Sequence, residues 1–167
     1  MPQVFETADL EEIDDLFRQQ YASTRLRLTG DRHRLRISQE DLGRVRLEHL
    51  YMPMELDTRS EPLGALAVGR VLHGQLHYQF RRAEQHLVGG DVFLAVPPHL
   101  GFRATHRDVD VEYGLLDPGL LGEVAQNAPG VSGPVRLLAL RPLNPLAASQ
   151  WAHTFGWSGS WLPAPWR

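Results

Sequence analysis

The chain has 167 residues, enough for one domain with a single core and too few for a second full domain. A formal net charge of −3 and an isoelectric point near 6.2 supply no overall basic field to draw nucleic acid or anionic lipid. Cysteine is absent, which excludes disulfides and thiolate ligands and fits a reducing compartment. The opening "MPQVFETADLEEIDDLF" has neither the basic nor the apolar region of a secretory signal. No apolar run reaches the about 18 residues of a spanning helix, so the expectation is a soluble cytoplasmic protein without membrane association.

In chain order, the first predicted element is a helix. Asp9 is placed to cap it, with Glu12 at the capping-box position. Leu10, Ile13, Phe17 and Tyr21 recur at helical spacing, and Glu11, Glu12, Asp14 and Asp15 crowd the positive end of its dipole. From Ser23 the period changes to two. "TRLRLTGDRHRLRIS" alternates arginine with Leu26, Leu28, Leu35 and Ile37 around Thr-Gly-Asp-Arg, which predicts a half-buried hairpin. "LGRVRLEHLYMPMELDT" continues as a long strand in which Pro53 marks a bulge or an edge. "ALAVGRVLHGQLHYQF", "HLVGGDVFLAVP", "HLGFRAT" and "DVDVEYGLL" predict further short strands joined by glycine-bearing turns, with Gly74 turning the chain between His73 and His77. Closely spaced strands of this kind predict an antiparallel barrel or sandwich.

Two helices follow. Asp117 as cap and Pro118 in the first turn open "LLDPGLLGEVAQNAPG", whose buried side is expected to be Leu120, Leu121, Val124 and Ala125 before Pro129 and Gly130 stop it. Asn144 opens "NPLAASQWAHTF", which "GWSGSWLPAPWR" is expected to break at Gly156.

The order of these segments resembles the N-terminal sensor domain of AraC-family transcription regulators, of the AraC-binding-like type. The resemblance is carried by "VFETADLEEIDDLFRQQY", "RLRL", "LGRVRLEHLYMPMEL", "VLHGQLHYQF", "GGDVFLAVPP" and "LLDPGLLGEVA" leading to "LRPLNPLAASQWAHT", over roughly residues 4 to 154. It implies a mainly β, cupin-like jelly-roll barrel with an N-terminal helix and two C-terminal helices. In this family such a domain binds an effector, helps the protein dimerise and precedes a domain with two helix-turn-helix units. Here no recognition helix or basic cluster follows Thr154, and all four tryptophans, Trp151, Trp157, Trp161 and Trp166, fall in the last residues among Gly, Ser, Pro, Ala and Arg. Residues 1–154 are therefore expected to be the regulatory domain, and 155–167 an irregular tail of the kind that truncation or a shifted frame leaves.

The histidines of residues 71–99 raise the question of a metal. A metal cupin brings two closely spaced histidines and a glutamate before the glycine of its first hairpin, and a third histidine past the proline turn. Before Gly74 the sequence has no such histidine pair, and Phe102 stands near the place of the third ligand. His73, His77, His86 and His99 are read as polar strand and turn residues, and no metal or other cofactor is expected. Asp108, Asp110 and Glu112 alternate with Val109, Val111 and Tyr113, which places the acids on a solvated face. The arginines from Arg25 to Arg36 lack interleaved aromatics and are followed by Glu40 and Asp41, so no direct DNA contact by this chain alone is expected.

What remains is a concave interior. Leu66, Val68 and Leu72 are expected to face inward with Tyr78, Phe93, Phe102, Val111 and Tyr113, and His49, His77 and Arg103 to stand at the mouth. The expected ligand contacts are thus His49, His77, Tyr78, Phe102, Arg103 and Tyr113, for a small-molecule effector. Since the resemblance implies dimerisation, Leu146, Gln150 and Trp151 of the last helix are the expected contacts to a second copy or a full-length homologue. The alternative is a small metal-dependent cupin enzyme, an isomerase or dioxygenase, with a ligand-storage module without any DNA connection as a third reading.

Overall fold

The computed structural model describes residues 3–21, 25–30, 33–127, 137 and 139–158, with side chains in the last helix described to Thr154. Its elements are β1 (Gln3–Thr7), α1 (Leu10–Gln20), β2 (Arg25–Thr29), β3 (Leu35–Asp41), β4 (Val45–Ser60), β5 (Leu66–Phe80), β6 (Ala83–Val88), β7 (Val92–Leu94), β8 (Phe102–Leu116), α2 (Gly119–Gln126) and α3 (Pro145–Ser158). The strands form an antiparallel sheet in the order β1-β3-β4-β8-β5-β6, with β2 added to β4 and β7 to β5. This is the mainly β jelly-roll architecture with three helices that was expected.

Three long strands organise the molecule. β4 pairs along its length with β8, and β8 pairs along its other edge with β5. Even-numbered residues of β4, Leu50, Met52, Met54 and Leu56, fill the core, and α1 closes one side with Ile13 and Phe17. The helix starts as expected, with Asp9 Oδ1 accepting from the amides of Glu11 and Glu12 at 2.8 and 3.2 Å. Glu12 does not complete a capping box. It accepts from Thr7 Oγ1 at 2.5 Å, and Thr7 Oγ1 in turn receives the Asp9 amide at 3.0 Å.

Several expectations are corrected. β2 and β3 do not form a hairpin with each other: β2 pairs with Glu55–Arg59 of β4, and β3 with Arg46–Tyr51 of the same strand. A 16-residue strand has room for two short partners end to end, and the alternating pattern is satisfied equally well by either pairing. Pro53 lies where the β4–β8 register shifts, consistent with the expected bulge.

Gly74 does not turn the chain. β5 runs through it as one strand to Phe80, and Gly74, at φ +83°, forms a bulge against Asp108 on β8. A Cβ there would lie 2.0 Å from the Asp108 carbonyl oxygen, which explains why glycine occupies the position. The irregularity inverts the strand's parity. Ala67, Gly69 and Val71 face the interior before it, and Leu76, Tyr78 and Phe80 after it. Leu72 is accordingly 40% exposed instead of inward, and Val68 is half-buried in a surface groove. The expected inward set carried one parity across a bulge that reverses it.

α2 begins one residue later than expected, at Gly119, with Pro118 in the cap position, and Asp117 Oδ1 accepts the Gly119 amide at 2.7 Å. Its apolar side is not buried, however, and Val124 is 67% exposed. The helix is tethered through polar groups: Arg44 on the β3–β4 turn reaches Asp117 at 3.2 Å and Glu123 at 2.7 Å. Asn144 caps α3 through Oδ1 to the Ala147 amide at 2.8 Å. The helix continues through Gly156 to Ser158 instead of breaking there. Pro129 and Gly130, and residues 159–167 of the expected tail, lie outside the described residues.

Candidate functional site: a cavity between helix α1 and the barrel wall

Behind α1 the barrel encloses a cavity of about 60 Å³. Phe17 and Tyr21 come from α1, Glu48, Leu50, Thr58 and Ser60 from β4, Ala67 and Tyr78 from β5, and Phe102, His106 and Tyr113 from β8. Aromatic rings set its shape: Tyr78 packs at 6.0 Å from Phe93 and 5.7 Å from Phe102, and Phe93 meets Tyr113 edge-on at 5.9 Å. Gly69 makes this possible, because a Cβ there would lie 2.5 Å from the Phe93 ring and 3.0 Å from that of Tyr113.

The polar atoms in this apolar chamber occur in pairs, as burial demands. The hydroxyls of Tyr78 and Tyr113 are 2.6 Å apart. Burial pushes the Tyr78 phenol up to about 12, against the opposing hydrogen bond from Tyr113, and pushes that of Tyr113 well above its ordinary value. Both are protonated at any physiological pH, so one donates to the other. Glu48, 2% exposed, accepts from Tyr21 Oη at 2.7 Å and Gln39 Nε2 at 2.8 Å, with Arg46 Nε 2.7 Å away. Burial raises its carboxyl above the ordinary range, and Arg46 opposes that shift most strongly. His106, with Nδ1 3.3 Å from the Leu56 carbonyl, is pulled down to about 4 by burial and is neutral.

At one end of the barrel the cavity and an open groove share a wall. Ser60 and Phe102 line both, and the groove contains Arg59, Arg81, Arg82 and Arg103. Among the residues expected at the site, Tyr78, Phe102 and Tyr113 therefore converge inside, and Arg103 stands in the groove beside them. His49 and His77 lie elsewhere. His49 points outward from β4, 2.5 Å from Asp110, and His77 lies on the outer face of β5, stacked on His86 with ring centroids 4.0 Å apart. The polar lining members that sequence reasoning missed include half-buried Tyr21 and the buried Glu48 and His106. Glu48 carried a signal, since it shares the even parity of Leu50 and Met52, and so did His106, two residues from Ala104 on the inward face of β8.

The acids of β8 divide as well. Asp108 is exposed and Asp110 half-buried, but Glu112 is only 7% exposed and takes two hydrogen bonds from Arg70, at 3.0 and 2.6 Å. Arg70 also reaches the Ala152 carbonyl of α3 at 3.4 Å. On α3, Leu146 and Gln150 are exposed one turn apart, whereas Trp151 lies in a groove with Val68, Val92, Leu94 and Leu140.

The donor set of a metal cupin is not assembled in the cavity. Its described lining offers one imidazole, His106, and one carboxylate, Glu48, and a group of three His or carboxylate donors within ligating reach occurs on the barrel's outside, at His77, Glu84 and His86. There the two imidazoles hold the Glu84 carboxyl below its ordinary range, chiefly through the His77 hydrogen bond.

No protein-family model matches the sequence, and no curated protein sequence matches it either. Among solved structures, that of the AraC-like transcriptional activator CuxR is similar over 96% of this chain, with 16% identity and a TM-score of 0.70. This chain corresponds to 61% of the activator's length. At that identity the likeness establishes a common fold. The Cnp3 cupin domain of Schizosaccharomyces pombe covers 59% of this chain and 72% of its own, with 12% identity and a TM-score of 0.43. A cupin-like protein from Thermotoga maritima covers 74% of this chain and 86% of its own, with 16% identity and a TM-score of 0.40. Among the described residues, no helix is long and apolar enough to cross a membrane.

Proposed function

We propose that this chain is the effector-sensing and dimerising part of an AraC-type transcription regulator, and that it binds its ligand without converting it. The observation that carries the reading is the cavity behind α1 that shares Ser60 and Phe102 with an arginine-lined groove, in a fold similar to that of an AraC-like activator. The lining fits a ligand with an apolar body and an anionic end. The body stacks among Phe17, Tyr78, Phe102 and Tyr113, and a carboxylate faces Arg103, whose planar guanidinium suits it.

The free space of about 60 Å³ holds a few waters but not a ring-sized molecule. Such a ligand has to displace Phe17 and Tyr21, break the Tyr21–Glu48 bond and shift α1. Occupied and empty states then differ in the position of a helix, which is the differential binding that population shift requires. Arg70, bonded to Glu112 of the barrel and to the α3 backbone, couples the wall to the helix that exposes Leu146 and Gln150 for pairing with a second copy or a full-length homologue. In this reading DNA is contacted by a helix-turn-helix partner segment and not by these residues.

Thermal shift and equilibrium dialysis test the proposal, with a panel of aromatic and short-chain carboxylates and their neutral amides. A carboxylate is expected to raise Tm more than its amide does. Arg103→Gln should weaken that effect, and Ala67→Phe, which fills the cavity, should abolish it while the far-ultraviolet spectrum is unchanged. If no member of the panel binds, or if Ala67→Phe binds as well as the native chain, the cavity is not an effector site. Conversion of a bound compound would instead favour a small cupin enzyme.

A further inference from the structure

The geometry points to a zinc-type metal site on the outer face of the β5–β6 hairpin, formed by His77, Glu84 and His86. It lies outside the cavity, and of its three ligands Glu84 also borders the arginine-lined groove of the effector reading. His77 and His86 are direct cross-strand partners, and their rings stack at 4.0 Å with planes 12° apart, so that both Nε2 atoms turn toward one carboxylate. His77 Nε2 is 3.2 Å from Glu84 Oε2, and His86 Nε2 is 3.7 Å from Glu84 Oε1. A tetrahedral zinc ion with bonds of about 2.0–2.2 Å requires its donors to stand about 3.4 Å apart, close to these two distances, which run to the two different oxygens of Glu84. All three donor atoms lie within 4.8 Å of one another, so small rotations of exposed side chains bring them onto one ion.

The backbone beneath is held in place. Gln85, between the two outward ligands of β6, turns inward and donates to the carbonyls of Leu94 and Ala95, both at 2.9 Å. Arg141 donates to the His86 carbonyl at 2.6 Å. Strand positions fixed in this way spare a metal part of the ordering cost of assembling its ligands. Two imidazoles and a single carboxylate suit zinc over calcium or magnesium, which take mostly oxygen donors, and three protein ligands leave a position for water. Binding displaces the proton that lies between His77 Nε2 and the Glu84 carboxylate. The neighbouring residues Tyr78 and Gln85 face the interior, so the ion would clamp the part of the hairpin that carries a cavity-lining ring.

Calorimetric titration of the full chain with zinc chloride in a non-chelating buffer tests this. One zinc ion per chain is expected. His86→Gln and Glu84→Gln should each weaken binding at least tenfold, which is the least that losing even a supporting residue of a metal site costs, about 10–100-fold. Both side chains are exposed, so neither change should alter the far-ultraviolet spectrum. His73→Gln removes a histidine whose nearest carboxylate, Asp108, forms a two-donor pair at 3.2 Å, and should leave the affinity unchanged. Absence of saturable binding, one ion shared by two chains, or equal affinity in native and His86→Gln protein would overturn the site.

Discussion

Acidification is expected to cost this fold about 3 kcal/mol between pH 7 and 4 through one residue, His106, whose imidazole titrates near 6.5 when free and at about 4 in the barrel. The cause is burial among the cavity's apolar walls. The Leu56 carbonyl and the Asp57 charge favour the protonated ring, but they do not outweigh desolvation. Below pH 6.5 the unfolded chain takes up a proton that the native chain refuses until about pH 4, so stability declines across that window and levels off beneath it. At pH 5 the loss works out at about 2 kcal/mol. Glu48 acts in the opposite sense, because burial has raised its carboxyl and acid relieves the penalty on its ionised form. The slope that belongs to His106 is therefore the difference between native protein and His106→Gln. Urea unfolding at pH 7, 6, 5 and 4.5 measures it. The native curve should lose stability relative to the variant as pH falls. Parallel curves would refute the argument that the buried ring remains neutral.

Tyr113→Phe leaves the Tyr78 hydroxyl buried without its partner and should cost about 1–3 kcal/mol; the double variant with Tyr78→Phe, which removes both hydroxyls, should cost less than the sum of the two single changes in denaturant unfolding. Gly74→Ala drives a Cβ onto the Asp108 carbonyl at φ +83° and should lower stability by roughly 3 kcal/mol or more, whereas Gly90→Ala, at φ +97° with nothing within 4 Å, should lose only about 1–2 kcal/mol for the left-handed conformation itself. Asp9→Ala removes the α1 cap and should cost about 1 kcal/mol, read as a lower midpoint in urea with an unchanged m-value.

Local chemistry was legible in this sequence wherever neighbours along the chain decide the outcome. Asp9 and Asn144 cap the turns they were expected to cap, since a side-chain oxygen and amides two or three residues on meet without help from the rest of the fold. The period of two marked the strands, and the order of segments pointed to the jelly roll. Choice of partner was not legible, because strand pairing is a contest between surfaces distant in sequence. Leu26 and Leu28 suit β4 as well as they suit β3, and tertiary packing awarded both short strands to opposite halves of one long one. One bulge at Gly74 then undid the inward assignments of Val68 and Leu72, turning Leu72 to solvent, while Leu66 and Tyr78 are buried. The same continuity of β5 set His77 opposite His86. Residue types and their spacing thus marked the helices and most strands, although β1 was not foreseen and β8 was expected as two short strands, while the register between strands, which depends on contacts far apart along the chain, determined which side chains meet.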